Sequence, residues 1–392
     1  MRARILAAAL VPGDALARRT GGGDAAAQRH VTPLTGFRKA WASRPELPDC
    51  SLVVATYERP VAIVTLLAAL NEMADPPGEV VVVDGSSGRD TERAVRDWSL
   101  TAESPFDLIY VRSPAGLTLQ RNVGVDASAG AFVFFLDDDC VPHDGYFREI
   151  RRAFVEDASR QIGAVAGAII NEMNNRLSGR WRARLALRLA ERGEPGSYLS
   201  SGVSVPASTV APFTGLRHVQ VVPGGAVAYR REVLNECRFS LFFSGYAQGE
   251  DLEMSLRAGA RWKLVWCGDA HVSHFHAVEG RPASVAKGRM EVRNRYFIWK
   301  RHAAPSRLDR FRFWADLAYG AVYDVATFAS DPRSSSPLRH AWGVVRGLAS
   351  CLTAPPRYIE PKAQREYDVA LETLAPGSTR GRTVPAAPHT AA

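Results

Sequence analysis

The feature that most constrains this chain is Val80-Val81-Val82-Val83, a β-branched run with no polar alternation. A strand of that kind is buried on both faces, the situation in a parallel sheet covered by helices. Its surroundings fit the same frame. Ser51 to Ala55, Glu79 to Val83, Leu108 to Val111 and Ala131 to Leu136 read as strands, with helices expected at Pro60 to Met73, Asp90 to Trp98 and Leu117 to Ala127. The order βαβαβαβ predicts an α/β fold with a mostly parallel sheet, helices on both faces, and ligands beyond the carboxyl ends of the strands. Those ends are polar and acidic: Thr56-Tyr57-Glu58-Arg59, Asp84-Gly85-Ser86-Ser87 and Asp137-Asp138-Asp139.

Composition sets outer limits. With 392 residues, 46% of them hydrophobic, the chain can bury a sizeable core, so wholesale disorder is excluded. A net charge of +8 suits a partner carrying phosphate or an anionic membrane surface without choosing between them. The five cysteines lack any CxxC spacing, so neither a zinc knuckle nor a disulfide framework is indicated and a reducing cytosol fits. The N-terminus has the charge-then-apolar start of a secretory leader, but Pro12 and Asp14 cut the apolar run short. It reads as a tail.

Four regions are expected: a flexible tail over 1-46, an α/β domain over 47-280, a basic amphipathic helical extension over 281-355 and a second flexible tail over 356-392. Residues 281 to 320 hold ten Lys or Arg against three acids, so most of the net charge sits in one segment. Phe313 to Ala329 is apolar but contains Asp316 and Asp324, which argues against a transmembrane helix.

The strand-end residues carry the chemistry. Three adjacent carboxylates repel one another and lose solvation, so the run Asp137-Asp138-Asp139 calls for a compensating cation. Mg²⁺ or Mn²⁺ prefers oxygen ligands and shares them with phosphates, which makes a diphosphate a natural occupant. A solvated acidic turn is the bland alternative. Asp84 is placed to accept hydrogen bonds from ribose or a base, although Asp-Gly-Ser is also ordinary turn chemistry. Arg121 precedes the acidic strand and could face phosphate, or could lie on a helix surface. Gly224-Gly225 precede a short apolar strand and allow close approach of a ligand to the backbone. Glu250-Asp251 opens a helix, where acids cap the dipole; the functional reading makes Asp251 a general base. His271, His274 and His276 follow the apolar strand Trp262 to Trp266, and an imidazole can complete a metal shell.

Taken in order, these segments resemble the family 2 glycosyltransferases, inverting enzymes of GT-A fold that use nucleotide-diphospho-sugars. Val53 to Pro60 is similar to that family's first donor-binding strand, Val82 to Ser87 to its second, and Arg121-Asn122-x-Gly124 to its Arg-Asn-x-Gly helix. Leu136 to Asp139 is similar to its Asp-x-Asp element, Glu250-Asp251 to its acidic pair, and Ala270 to His274 to its metal-assisting histidine segment. The resemblance covers Ser51 to His276. It implies donor contacts from Thr56, Tyr57, Glu58, Asp84, Ser86, Arg121, Asp137 and Asp138, and metal ligation by Asp139 and His274. It further implies acceptor contacts at Gly224, Gly225 and Glu250, with Asp251, beside Glu250, as the catalytic base. Glu58 stands where Asn is common, and Cys140 where another polar residue is frequent.

The expected partners are a nucleotide-diphospho-sugar and a saccharide or lipid-linked saccharide acceptor; no nucleic acid is expected. The rows Leu177, Trp181, Leu185, Leu189 and Arg176, Arg180, Arg184, Arg188 predict a basic amphipathic helix, and Tyr296 to Arg301 is basic and aromatic. Both could rest on an anionic membrane, giving a cytoplasmic protein peripheral to the inner face of the plasma membrane; a helix docked on the core with solvated arginines is the alternative. Two rival functions differ in class. A nucleotidyltransferase would carry a glycine-rich loop where Thr56 to Pro60 stands, and a non-catalytic nucleotide or nucleic-acid binder would bind without turnover.

Overall fold

The computed structural model describes residues 2–5, 32–40, 45–276, 282–356 and 367–374. The leader-like residues 6–17 lie outside them. The strands are β1 (Arg2–Ile5), β2 (Thr32–Lys39), β3 (Leu47–Thr56), β4 (Pro77–Asp84), β5 (Asp107–Arg112), β6 (Phe132–Asp137), β7 (Cys140–Pro142), β8 (Ile162–Ile169), β9 (Leu216–Val219), β10 (Ala226–Arg230), β11 (Lys263–His274) and β12 (Tyr367–Leu374). The α-helices are α1 (Pro60–Asn71), α2 (Asp90–Thr101), α3 (Leu117–Ala127), α4 (Tyr146–Glu156), α5 (Gly179–Ala186), α6 (Arg231–Glu236), α7 (Glu250–Ala258), α8 (Ser284–His302), α9 (Arg307–Ser330) and α10 (Ser336–Thr353).

One sheet runs β1-β12-β2-β5-β4-β3-β6-β10-β8-β11-β7, with β9 pairing β11. Its centre, β5-β4-β3-β6, is the expected parallel quartet. Beyond β6 the sheet continues through β10, antiparallel to both β6 and β8. The valine run behaves as its composition demands. Every residue of β4 is buried, and alternate side chains enter two different cores: Leu52, Val54, Val80 and Val82 on one face, Val53, Val81 and Val83 on the other. Pro60 starts α1 at a position where a missing N–H costs nothing.

The tails need correction. Thr32–Lys39, inside the supposed tail over 1-46, is a strand paired antiparallel to β5, and Tyr367–Leu374, inside the supposed tail over 356-392, pairs parallel to it. Composition missed both because these strands at the outer end of the sheet bury few apolar residues each. Leu34 and Phe37 suffice in β2, Tyr367 and Val369 in β12.

The basic amphipathic reading of 176–189 also changes. Only Gly179–Ala186 is helical, and its arginine row turns partly inward: Arg184 is buried and pairs with Asp316 of α9, while Arg180 lies 3.5 Å from Glu291 of α8. In the 296–301 segment, Phe297, Ile298 and Trp299 are buried rather than presented to a membrane. Phe297 stacks on Phe242 at 3.7 Å and Trp299 on Phe313 at 4.1 Å. Helix α8 thereby supports the loop leading into α7, and Asn294 donates to the Gln248 carbonyl at 2.7 Å. Helix α9 opens on a capping box between Ser306 and Asp309.

Candidate active site

Strand register assembles the site. Thr56 is level with Asp84, and Ala55 with Asp137, so three parallel strands deliver polar residues to one rim. Strand β10 begins level with Leu136, which sets the two residues before it beside the acidic run. A Cβ on Gly225 would lie 2.5 Å from Asp137 Oδ2, and one on Gly224 2.9 Å from Arg121 Nη1. The paired glycines are thus required by the close passage of these side chains. On the far side, β7 pairs β11 with Cys140 opposite His274, which brings Asp139 within 3.4 Å of the His274 ring.

These residues surround a cavity of about 570 Å³. Among the described residues its wall includes Asp137, Asp138, Asp139, Glu250 and Asp251, with Arg59, Arg121, His274 and His276 as the basic groups. Five carboxyl groups thus share one space with two guanidinia and two imidazoles.

Each charge has identifiable partners. Asp138 accepts from Thr56 Oγ1 and from Arg59 Nη1, both at 2.7 Å. Buried Arg121 donates to Glu250 at 2.9 Å and to Asp137 at 3.1 Å. Asp251 accepts from the Gly224 N–H at 3.2 Å and from the Leu252 N–H at 2.8 Å. His274 Nδ1 lies 2.7 Å and His276 Nε2 2.9 Å from Glu172 Oε1. The acidic run is therefore compensated in part by two arginines, and the expectation that only a metal ion could make it tolerable is too strong.

The compensation is incomplete. Burial pushes Asp138 up to about 6, with Arg59 and Thr56 pulling the other way. Burial and the neighbouring Asp251 push Glu250 up to about 8 against the opposing pull of Arg121. Burial also raises Asp251. For Arg121, burial acts downward, but Glu250 and Asp137 outweigh it and hold the guanidinium above its ordinary value. Hydrogen bonds to Asp139 and Glu172 lift His274 to about 10.

Of the anticipated residues, Thr56, Tyr57, Arg121, Asp137, Asp138, Asp139, Gly224, Gly225, Glu250, Asp251 and His274 share the cavity wall. Glu58, Asp84 and Ser86 do not line it. Asp84 is fully buried: Tyr110 donates to its Oδ2 at 2.5 Å and the Ser86 N–H to its Oδ1 at 2.8 Å. Glu58 is turned to the Ser87 N–H and hydroxyl, and Ser86 Oγ accepts from the Glu58 N–H. Asp84 thus acts as a strut under the rim.

Sequence reasoning assigned no role to Arg59, Gln120, Glu172 or Tyr246, and left His276 as one of three candidate imidazoles. Arg59 stood in plain view in the strand-end segment Thr56 to Arg59. Gln120 donates to the carbonyls of Thr56 and Val83, both at 2.8 Å, tying α3 to two strand ends. Nothing in its spacing announces that role. Asp139 and His274 offer an oxygen and an imidazole nitrogen that fit a divalent cation, whereas Cys140 beside them is fully buried and its thiol is pushed well up by that burial.

Comparison with known proteins adds the following. Residues 51–238 match the model of glycosyl transferase family 2. Among curated proteins, the chain is 33% identical over 99 residues to Glycosyltransferase AglE of Haloferax volcanii, covering 25% of this chain and 32% of that one. It is 35% identical over 116 residues to the succinoglycan biosynthesis protein ExoM of Rhizobium meliloti, covering 29% and 37%. The matched stretches span about a third of each relative's length. Among solved structures it is similar to mannosyltransferase PcManGT from Pyrobaculum calidifontis in complex with GDP-Man and Mn²⁺, with TM-score 0.48 and 16% identity over 81% of this chain and 91% of that one. S. aureus TarS 1-349 in complex with UDP-GlcNAc gives TM-score 0.47 and 17% identity over 79% and 82%.

Proposed function

We propose that this chain, a glycosyltransferase whose residues 51–238 form a family 2 domain, moves a sugar from a nucleotide-diphospho-sugar to an acceptor hydroxyl with inversion at the anomeric carbon. The observation that carries the reading is the cavity wall itself, with five carboxyl groups, Asp251 among them, two arginines and two histidines around one space. A wall so rich in carboxyl groups favours a donor that arrives with a cation.

Asp139 and His274 are the residues that would hold Mg²⁺ or Mn²⁺, and the ion when bound would neutralise the departing diphosphate. Arg59, already against Asp138, is in reach of the same region and supplies a second positive charge there. Arg121 holds Glu250 and Asp137 in place from a buried position, and so fixes the start of α7 against the acidic run. Thr56, Tyr57 and the residues around Asp137 form the donor side. Gly224, Gly225 and Glu250 form the acceptor side.

Asp251 takes the proton of the acceptor hydroxyl, and that oxygen attacks the anomeric carbon from the face opposite the diphosphate. Its N–H contacts hold one carboxylate oxygen toward Gly224 and the other toward its own helix start. The reaction is a single displacement, so no glycosyl-enzyme forms. Tyr57 and Tyr246 are half-exposed on the cavity wall and offer flat apolar faces to a base or a sugar. Similarity to the succinoglycan biosynthesis protein ExoM favours a polysaccharide or lipid-linked glycan as acceptor.

The test is transfer from a panel of nucleotide-sugars to saccharide acceptors, with product configuration read by proton NMR. Inverted product and its loss in Asp251→Asn support the reading; retained configuration, or full activity in Asp251→Asn, contradicts it.

A further inference from the structure

Helices α9 and α10 pack against each other through Phe313, Leu317, Val344 and Cys351. That core uses only one side of each helix. On α9, Leu308, Phe311, Val322 and Val325 are exposed, Phe311 by 68% and Val322 by 66%. Together with Ala315, Ala318 and Ala329 they recur at three- and four-residue spacing along all 24 residues, a continuous apolar stripe. On α10, Leu338, Trp342, Val345, Ala349 and Leu352 do the same, Leu352 being 73% exposed. A protein surface rarely displays two such stripes, on helices that pack together, without using them.

The charges beside the stripes have one sign. Arg307 and Arg310 on α9 and Arg339 and Arg346 on α10 are exposed. Arg339 and Arg346 each follow a stripe residue by one position, about 100° round the helix, so they flank the stripe on one side. The acids of α9 are withdrawn from this surface. Asp309 closes the capping box, Asp316 is buried between Arg184 and Arg295, and Asp324 accepts from His340 at 2.7 Å. Helix α10 has no acid at all. Asp331, in the connection between the two helices, is the one exposed acid there.

We propose that the outer face of α9 and α10 docks on an anionic lipid surface, lying in the plane of the headgroups with its apolar stripes buried and its arginines on the lipid phosphates. Among the described residues no helix is long and apolar enough to cross a membrane, so this is attachment rather than insertion. Charge complementarity selects this occupant over a second copy of the chain. Two copies meeting through the same face would set the arginines of one against those of the other, whereas an anionic bilayer meets both features at once. This replaces the membrane contact expected of the 176–189 and 296–301 segments, whose arginine row and aromatic residues turn partly inward, and it depends on no step of the sugar transfer.

The test is co-sedimentation of the full chain with phosphatidylcholine vesicles, with and without phosphatidylglycerol, at low and high salt. The parent should sediment with the anionic vesicles and be released by salt. Phe311→Glu combined with Trp342→Glu should abolish binding, and Arg339→Gln with Arg346→Gln should weaken it roughly 30-fold, at about 1 kcal/mol per arginine. The arginine variant alters only exposed positions, so it decides the matter even where the double glutamate variant fails to fold. Donor hydrolysis without vesicles should be unchanged in both folded variants. Failure of the parent to bind anionic vesicles, or equal binding by the arginine variant, would overturn the proposal. So would a parent that is dimeric without lipid and becomes monomeric with Phe311→Glu, since the face would then belong to a second copy.

Discussion

The cavity rim and the C-terminal helices both bury ionisable groups, yet their carboxyls move in opposite directions. At the rim, burial prevails over Arg59 and Arg121, so Asp138, Glu250 and Asp251 are all raised. In the helical unit, burial of Asp316 is outweighed by Arg295 and Arg184, and its carboxyl is held below the usual range. Glu253 of α7, fully buried against Arg257, Arg301 and His302, follows the helical pattern. One cluster is closed, with its charges satisfied by partners in the chain. The other is open to the cavity, with carboxyls that its arginines do not hold in the ionised form. That contrast is the pattern expected of a structural ion network beside a candidate site.

Substitution should expose the contrast. Asp251→Asn removes the proposed base and is expected to cut transfer about 10³-fold, measured as initial rates at saturating donor, with donor affinity by calorimetry unchanged. Asp316→Ala should do the reverse. It strands Arg184 and Arg295 without their shared partner and should cost about 3–5 kcal/mol in denaturant unfolding, while turnover per folded molecule stays at the parent's level. Equal loss of turnover in both variants would erase the distinction between the two clusters.

A third experiment uses pH. Glu250 is raised to about 8 in the folded chain, so its contribution to stability is fully present below its unfolded value near 4.5 and is lost as pH rises through 8. Glu250→Gln lacks that loss and its amide oxygen can still accept from Arg121. The variant should therefore gain on the parent between pH 5 and 9, by on the order of 2 kcal/mol, as read from unfolding midpoints across pH. A gap that stays flat would mean the rim carries no such strain. The smallest effect is expected at Gly225→Ala, whose new methyl meets Asp137 Oδ2. Displacing that carboxylate should weaken donor binding about tenfold, or roughly 1.4 kcal/mol, with Asp316-dependent stability untouched.

The central βαβ order was legible because strands buried on both faces need continuous β-branched runs, and α3 spans Leu117–Ala127 as its pattern indicates. The outer strands β2 and β12 were not, since they pair with each other across more than 300 residues of chain and local composition carries no trace of it. The same limit applies within the site. The segment order placed Asp137 to Asp139, Glu250-Asp251 and His274 around one cavity, because each closes a strand or opens a helix at the same rim. It misjudged Asp84, whose role is decided by Tyr110 on the neighbouring strand. Tyr110 looks like any other residue of an apolar run. Arg184 deceived in the opposite sense, since a regular row of arginines reads as a solvated face until Asp316 arrives from a helix 132 residues on.

The most direct measurement of the open-rim account is the unfolding midpoint of the full chain with and without Mn²⁺ and a series of nucleoside diphosphates, in the parent, Asp139→Ala and Asp316→Asn. Ligand that binds only the folded state raises the midpoint in proportion to its affinity. A rise in the parent, absent in Asp139→Ala and preserved above the lowered baseline of Asp316→Asn, is the predicted result. No rise in the parent with any diphosphate, or an undiminished rise in Asp139→Ala, would contradict it.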